Sequence, residues 1–208
     1  YTFRYSEVTS IVLPESLTKI GDYAFEYSAL ESVHIPQNVE SIGRQSFGNC
    51  SKLTSVTFAP GCKVSSFGVR TFQATPITEI TIPANLKTIT TGYTFYNCDQ
   101  LKTVNFEAGT QLEAIVSNMF YGTAITEFII PDGIKEIQTK AFSATPLVSV
   151  TIPSSVTTIA NQAFEKCADL TTVTFAPGGT ENLTIADGGK ISSSTKVTAA
   201  TGAFSSCT

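Results

Sequence analysis

The sequence is poor in the residue types on which catalytic and metal-binding sites usually depend. Among 208 residues there are one histidine, one methionine and no tryptophan, and only 14% of the residues are charged. The 13 lysines and arginines are scattered and the net charge is −4, so there is no basic cluster that would bind a phosphate backbone. This balance argues against nucleic acid as a partner.

Long apolar runs are also missing. No stretch approaches the roughly 18 apolar residues that a membrane-spanning helix needs, and the amino end has no charged and then apolar signal segment. The sequence therefore predicts no transmembrane segment in this chain. Because the chain begins at Tyr1 rather than at methionine, we expect it to be a fragment of a longer protein.

What the sequence does contain is a repeat of 22 to 24 residues, rich in Val, Ile, Thr, Ser and Phe. A unit this short cannot bury its own apolar face, so successive units must stack into a solenoid. The sequence predicts a single domain over residues 1–208 with about eight repeats. The repeats begin at Val8, Leu30, Leu53, Ile77, Leu101, Ile125, Leu147 and Leu170.

Each repeat changes its residue spacing halfway. Val33 and Ile35 alternate with polar residues, as in a half-buried strand, and a proline then follows in most units and ends the pairing. Val39 and Ile42 are three residues apart, which suits a helical turn or a short second strand. We therefore predict a β-rich α/β solenoid with one parallel β-sheet and short helical turns or short strands on the opposite side.

One phenylalanine per unit occupies an equivalent position, and we expect these rings to stack as an aromatic spine. The predicted spine consists of Phe25, Phe47, Phe72, Phe95, Phe120, Phe142, Phe164 and Phe204.

A small side chain stands three positions after each spine phenylalanine. The column is Ser28, Cys50, Thr75, Cys98, Thr123, Thr145, Cys167 and Cys207. Because neither a metal ligand nor a redox thiol can become Ser or Thr, we interpret these cysteines as structural, selected for volume and a backbone hydrogen bond. Cys167 and Cys207 fall in adjacent coils, so the sequence leaves open whether a disulfide joins them. The sequence indicates no metal or cofactor site.

Units that contain cysteine are also followed by a wider coil. Val64 comes six positions after Phe58 in such a coil, whereas Val39 comes four positions after Ile35. The last repeat departs further, because about 178–200 is an insertion rich in Gly, Ser and Thr, which predicts a protruding loop.

The titratable residues do not form a convincing catalytic set. His34 is predicted to point outward from a strand without a nucleophile or an acid beside it. Glu79 and Glu127 share an outward column two coils apart, but nothing encloses them, as a carboxylic acid with a raised pKa would require. We therefore predict that the protein is not an enzyme.

Two surfaces are candidates for binding a partner. The first is the outward row of the strands, which is flat, polar and low in charge. Its candidate residues are His34, Thr57, Thr81, Asn105, Ile129 and Thr151. The second is the pair Tyr96 and Tyr121, which follow neighbouring spine phenylalanines and should lie side by side.

The segments LTTVTFAPG and IANQAFEKC resemble the repeat of the BspA-like, or Treponema pallidum type, leucine-rich repeat family, and the likeness extends over all eight units. The resemblance implies a right-handed leucine-rich repeat superhelix. It also implies a secreted or surface-anchored protein that acts in adhesion, with a host matrix or cell-surface protein as partner. A glycan-binding surface protein is the alternative. The family motif is structural, so no binding residue is carried over.

Overall fold

The computed structural model describes residues 1–177, 184–185 and 202–207. Each full coil contains a longer strand, a bend, a short strand and a turn that carries the spine phenylalanine. The strands in chain order are β1 (Lys19–Ile20), β2 (Ser32–Ile35), β3 (Ser41–Ile42), β4 (Ser55–Phe58), β5 (Ser66–Phe67), β6 (Glu79–Ile82), β7 (Thr88–Ile89), β8 (Thr103–Phe106), β9 (Ala114–Ile115), β10 (Glu127–Ile129), β11 (Glu136–Ile137), β12 (Ser149–Ile152), β13 (Thr158–Ile159), β14 (Thr172–Phe175) and β15 (Thr184–Ile185).

The architecture is a β-solenoid with almost no helix. The spacing of Val39 and Ile42 left helical turns and short strands as alternatives, and the structure has two-residue strands at these positions. In the described residues the only helical element is the 3-10 turn Gly202–Phe204, so the short-strand alternative is confirmed and the helical turns are not.

All strand pairing is parallel, but the long strands do not form the single sheet that the sequence predicted. The short strands pair as β1-β3-β5-β7 and β9-β11-β13-β15, whereas the long strands pair as β2-β4, β6-β8 and β10-β12-β14. The long-strand face is therefore interrupted between β4 and β6 and between β8 and β10.

Both interruptions follow a wide coil. β4 ends at Phe58 and β8 ends at Phe106, and each continues into the six-residue turn. These phenylalanines are only half-buried, whereas Ile35 and Ile82 at the equivalent position of narrow coils are fully buried. The long strand of a wide coil pairs with that of the narrow coil before it, but it does not pair with the long strand of the next narrow coil.

The predicted spine is confirmed. Successive rings stack with centroids 5.0 to 5.7 Å apart, from Phe25 to Phe204. Phe3, which the sequence analysis did not assign, extends the spine at 5.3 Å from Phe25. Most planes are nearly parallel, but Phe120 and Phe142 are inclined by 25°, where Phe128 packs against both rings.

The turn around each spine phenylalanine has an unusual backbone. From Phe25 to Phe164, the residues two positions before and two positions after each ring adopt positive φ, as Tyr23 and Tyr27 do around Phe25. This alternation sends every second N–H to the next coil, so Phe25 N–H donates to Ser46 O at 2.7 Å and Tyr27 N–H donates to Gly48 O at 3.1 Å. A second backbone ladder thus joins the coils through turns rather than strands.

Of the predicted insertion at 178–200, the structure describes only Thr184 and Ile185. Their backbone forms β15 and pairs with β13, so the short strand of this coil is retained within the predicted insertion. The rest of the predicted loop lies outside the described residues.

Candidate functional site

The outward residues of the long strands form the row that the sequence predicted. Five of its six candidates, His34, Thr57, Thr81, Asn105 and Ile129, are exposed, and the sixth is half-buried. Strand register places His34 beside Thr57, with Nδ1 and Oγ1 2.9 Å apart, and it places Thr81 beside Asn105.

The sixth candidate, Thr151, lies beside Ile129 in the pairing of β10 with β12. The two interruptions separate Thr57 from Thr81 and Asn105 from Ile129. The row is therefore three segments of two neighbours each, rather than one continuous platform.

Each interruption opens a hollow in the long-strand face. The larger, which we call the β8–β10 hollow, has a volume of about 600 Å³, and its walls include Val104, Asn105, Phe106, Ile129 and Pro131. The smaller, between β4 and β6, measures about 380 Å³ and is lined partly by Thr57, Thr81 and Asn105. Neither hollow could be predicted from the sequence, because both depend on how neighbouring coils of unequal width meet.

Apolar side chains are accessible at the β8–β10 hollow. Ile129 is 77% exposed, and Val104 and Phe106 are half-buried. Beneath them Phe128 replaces the smaller aliphatic residue of other coils and meets Phe106 edge to face at 6.2 Å. The hollow therefore combines an exposed aliphatic rim with an aromatic floor.

The tyrosines predicted to lie side by side do so. Tyr96 and Tyr121 stack with centroids 4.8 Å apart and an interplanar angle of 14°. Tyr93, which the sequence analysis missed, meets Tyr96 at a tilt of 52°. Tyr96 and Tyr121 are half-buried, and each covers one face of the other.

A groove on the short-strand side was not predicted from the sequence. It has a volume of about 610 Å³ and includes Lys19, Arg44 and Arg70 among its lining residues. These cations are about 25 residues apart in sequence, so they do not form a local basic cluster that would indicate the groove. An alignment of the repeats does place Arg44 and Arg70 at neighbouring positions of consecutive units.

The cysteines have the structural role that the repeat alignment predicted. All five are free and buried. The Sγ of Cys50 donates to Phe25 O at 2.9 Å, and the Sγ of Cys98 donates to Phe72 O at 3.0 Å, so each thiol satisfies a carbonyl of the preceding turn. Burial raises the pKa of Cys98 to about 11, which keeps this thiol protonated and unreactive at neutral pH.

Cys167 and Cys207, for which a disulfide was left open, are free thiols in this structure. The Sγ of Cys207 donates to Phe164 O at 3.1 Å. A hydrogen bond with Cys167, together with burial, raises the pKa of Cys207.

No arrangement suited to catalysis emerges from the carboxylates that the sequence singled out. Glu79 lies on β6 and Glu127 on β10, which belong to different sheets, and both side chains are exposed. Among the described residues, no three His, Cys, Asp or Glu side chains are grouped as metal ligands would be. Over the same residues, no helix is long and apolar enough to cross a membrane.

The stacked coils, parallel short and long strands and aromatic spine define a repeat solenoid. Comparison with known families gives its class. The sequence profile of the BspA type leucine rich repeat region, in six copies, matches residues 1–93 and 65–184, so the chain belongs to this family. No curated protein matches the chain.

Several solved bacterial structures share the fold. A leucine rich cell surface protein from Faecalibacterium prausnitzii is 24% identical over 78% of this chain and 52% of its own, with a TM-score of 0.53. The pneumococcal vaccine antigen PcpA is 20% identical over 81% of this chain and 53% of its own, with a TM-score of 0.54.

The T. pallidum leucine rich repeat protein is 22% identical over 81% of this chain and 70% of its own, with a TM-score of 0.55. At such identities the likeness concerns the fold alone. The chain spans about half the length of the first two structures.

Proposed function

We propose that this chain is part of a non-enzymatic surface or secreted protein that mediates adhesion by binding another protein, such as a host matrix or cell-surface protein. The contact residues are the outward row His34, Thr57, Thr81, Asn105, Ile129 and Thr151, and the β8–β10 hollow is the centre of the contact. The family supports a role in protein interaction. One neighbour in fold is described as a cell surface protein and another as a vaccine antigen, which supports an extracellular location.

The observation that carries the proposal is the exposed Ile129 at the rim of an open hollow. Protein contacts concentrate their binding energy in a few apolar or aromatic residues at the centre of the interface, with polar residues around them. Ile129, Val104 and Phe106 supply the apolar centre, whereas Asn105 and Thr151 belong to the polar surround. An apolar side chain of the partner would fill the hollow.

We further propose that residues 1–208 form one right-handed solenoid domain of eight repeats.

Tyr96 and Tyr121 support the alternative function, a glycan-binding surface protein, less well. A sugar-binding platform needs an open aromatic face, and these two half-buried rings cover one another.

The test uses purified matrix proteins immobilised as a panel, with the wild-type chain and two variants in solution. Ile129→Thr keeps a β-branched residue on β10 but removes the apolar rim. Val12→Thr is the matched control, because Val12 occupies the same outward column, is 94% exposed and lies far from the hollow. Both changes should leave stability within about 0.5 kcal/mol of the wild type, as is usual for exposed sites.

We expect the wild type to bind at least one matrix protein, Ile129→Thr to weaken that binding roughly tenfold, and Val12→Thr to leave it unchanged. Equal binding by all three chains would exclude the hollow as the contact centre. Equal loss in both variants would point to unspecific adsorption.

A further inference from the structure

The groove on the short-strand side has a floor of small residues and a rim of cations. Ser41 and Ser66, on β3 and β5, and the adjoining Gly43 and Gly68 leave it open. Only glycine fits at position 68, because a Cβ on Gly68 would overlap the backbone of Arg44 in the preceding coil. The volume of about 610 Å³ is sufficient for two or three sugar units or an equivalent ligand.

The cations of this groove have almost no counter-charge. Lys19, Arg44 and Arg70 line it, and among the described residues Asp22 is the only acidic one in the lining. One oxygen of Asp22 accepts the backbone N–H of Arg44 at 2.8 Å. In the described part of the chain the ion pairs involve other residues, so neither Arg44 nor Arg70 is neutralised by a carboxylate.

Arg70 is held in place with an unsatisfied donor. Its guanidinium carbon lies 5.1 Å from the centroid of the Tyr93 ring, a cation–π contact that fixes the side chain against the groove wall. Its Nε is buried and has no hydrogen-bond partner. Buried donors are nearly always paired, and an unpaired one on a charged group is costly. Because Nε itself is buried, an acceptor oxygen from a ligand pairs with it only after the Arg70 side chain shifts.

We propose that this groove binds an acidic glycan through its carboxylate or sulfate groups. Guanidinium groups bind such oxyanions through paired, parallel hydrogen bonds. Arg44 and Arg70 stand on consecutive coils, which are about 4.8 Å apart where their strands pair, so together they form a short row of positive charge. Such a row matches a chain that carries anionic groups on successive units.

The lining favours a sugar over an acidic peptide. Besides the cations, the lining includes the hydroxyl groups of Ser41, Ser66, Thr90 and Thr91, together with the half-buried side chains of Val69 and Tyr93. Peptide sites usually add pockets for apolar side chains, whereas the largest apolar lining residue, Phe67, is fully buried. The groove also lies on the short strands, away from the row that contains Ile129, so this site is independent of the proposed protein contact.

The experiment measures binding of three oligosaccharides of equal length by calorimetry: a sulfated heparin fragment, a polyuronate fragment and a neutral glucan. The test variant carries Arg44→Gln and Arg70→Gln. The control variant carries Lys52→Gln and Lys166→Gln, which remove the same charge from exposed residues that do not line the groove. Far-UV circular dichroism checks that each chain is folded.

We expect the wild type to bind an acidic fragment but not the glucan. Because heparin carries carboxylates as well as sulfates, binding of the polyuronate shows that carboxylate is sufficient, whereas binding of the heparin fragment alone identifies sulfate as the recognised group. The test variant should lose roughly tenfold or more in affinity, whereas the control should stay within about twofold. Failure of both acidic fragments to bind, or an equal loss in the control, would overturn the proposal.

A third variant separates charge from geometry. Arg44→Lys with Arg70→Lys keeps the charge but removes the planar fork, so binding should fall clearly below that of the wild type. Full binding by this variant would refute recognition by guanidinium. If Arg70→Gln fails to fold, the single change Arg44→Gln provides the same test, because Arg44 is exposed.

Discussion

Two glycines with nearly the same positive φ should respond very differently to alanine. Gly92 and Gly109 have φ of +82° and +80°. A Cβ on Gly109 would meet nothing within 4 Å, whereas a Cβ on Gly92 would overlap the backbone oxygen of Ser117 in the next coil. Alanine at either site incurs the left-handed conformational cost of about 1–2 kcal/mol, partly offset by about 0.4–1 kcal/mol because the unfolded chain becomes less flexible.

For Gly109→Ala we therefore expect a loss of about 1 kcal/mol in the free energy of unfolding. Gly92→Ala must in addition push two coils apart, and overpacking of this kind costs a further 1–3 kcal/mol or so. Urea titrations followed by circular dichroism, compared at equal m-values, measure both changes. Equal losses in the two variants would show that the backbone of Ser117 lies farther from Gly92 than a Cβ contact requires.

Two further predictions concern the core. Phe120 is fully buried between Phe95 and Phe142, so Phe120→Ala should lower the free energy of unfolding by about 3–5 kcal/mol. A loss below about 1 kcal/mol in the same urea titration would contradict a continuous spine. The reference pKa of a cysteine thiol is 9.0, and burial raises that of Cys98 to about 11. As pH rises, the thiol therefore ionises first in the unfolded chain. The free energy of unfolding should fall by about 2–3 kcal/mol between pH 9 and 11. Because Cys98→Ser has no thiol to ionise, its stability should fall less over that range, and identical pH profiles of the two chains would exclude the assigned burial.

Features repeated in every unit could be predicted from the sequence. The spine phenylalanines, the alternation at Val33 and Ile35, and the exchange of Ser, Thr and Cys at one position each report a local requirement that eight units impose in the same way. The burial of Phe120 and the hydrogen bond of Cys98 to the preceding turn agree with those expectations.

Features that arise between unlike units could not be predicted. The β8–β10 hollow depends on the meeting of a wide coil with a narrow one and on Phe128 beneath it, and neither is visible within one repeat. The left-handed residues around the spine include Tyr23, Arg70 and Lys140, which have no strong preference for that conformation, so the ladder between coils rather than residue type imposes it.

The interrupted long-strand face has a mechanical consequence. The long strands are unpaired between β4 and β6 and between β8 and β10. The aromatic spine and the backbone hydrogen bonds between the turns continue past both positions. Resistance to bending must therefore depend on direction. A load that opens the long-strand face at these positions meets fewer hydrogen bonds than one that opens the turns around the spine, so tension along the solenoid would concentrate its first strain between β4 and β6 and between β8 and β10.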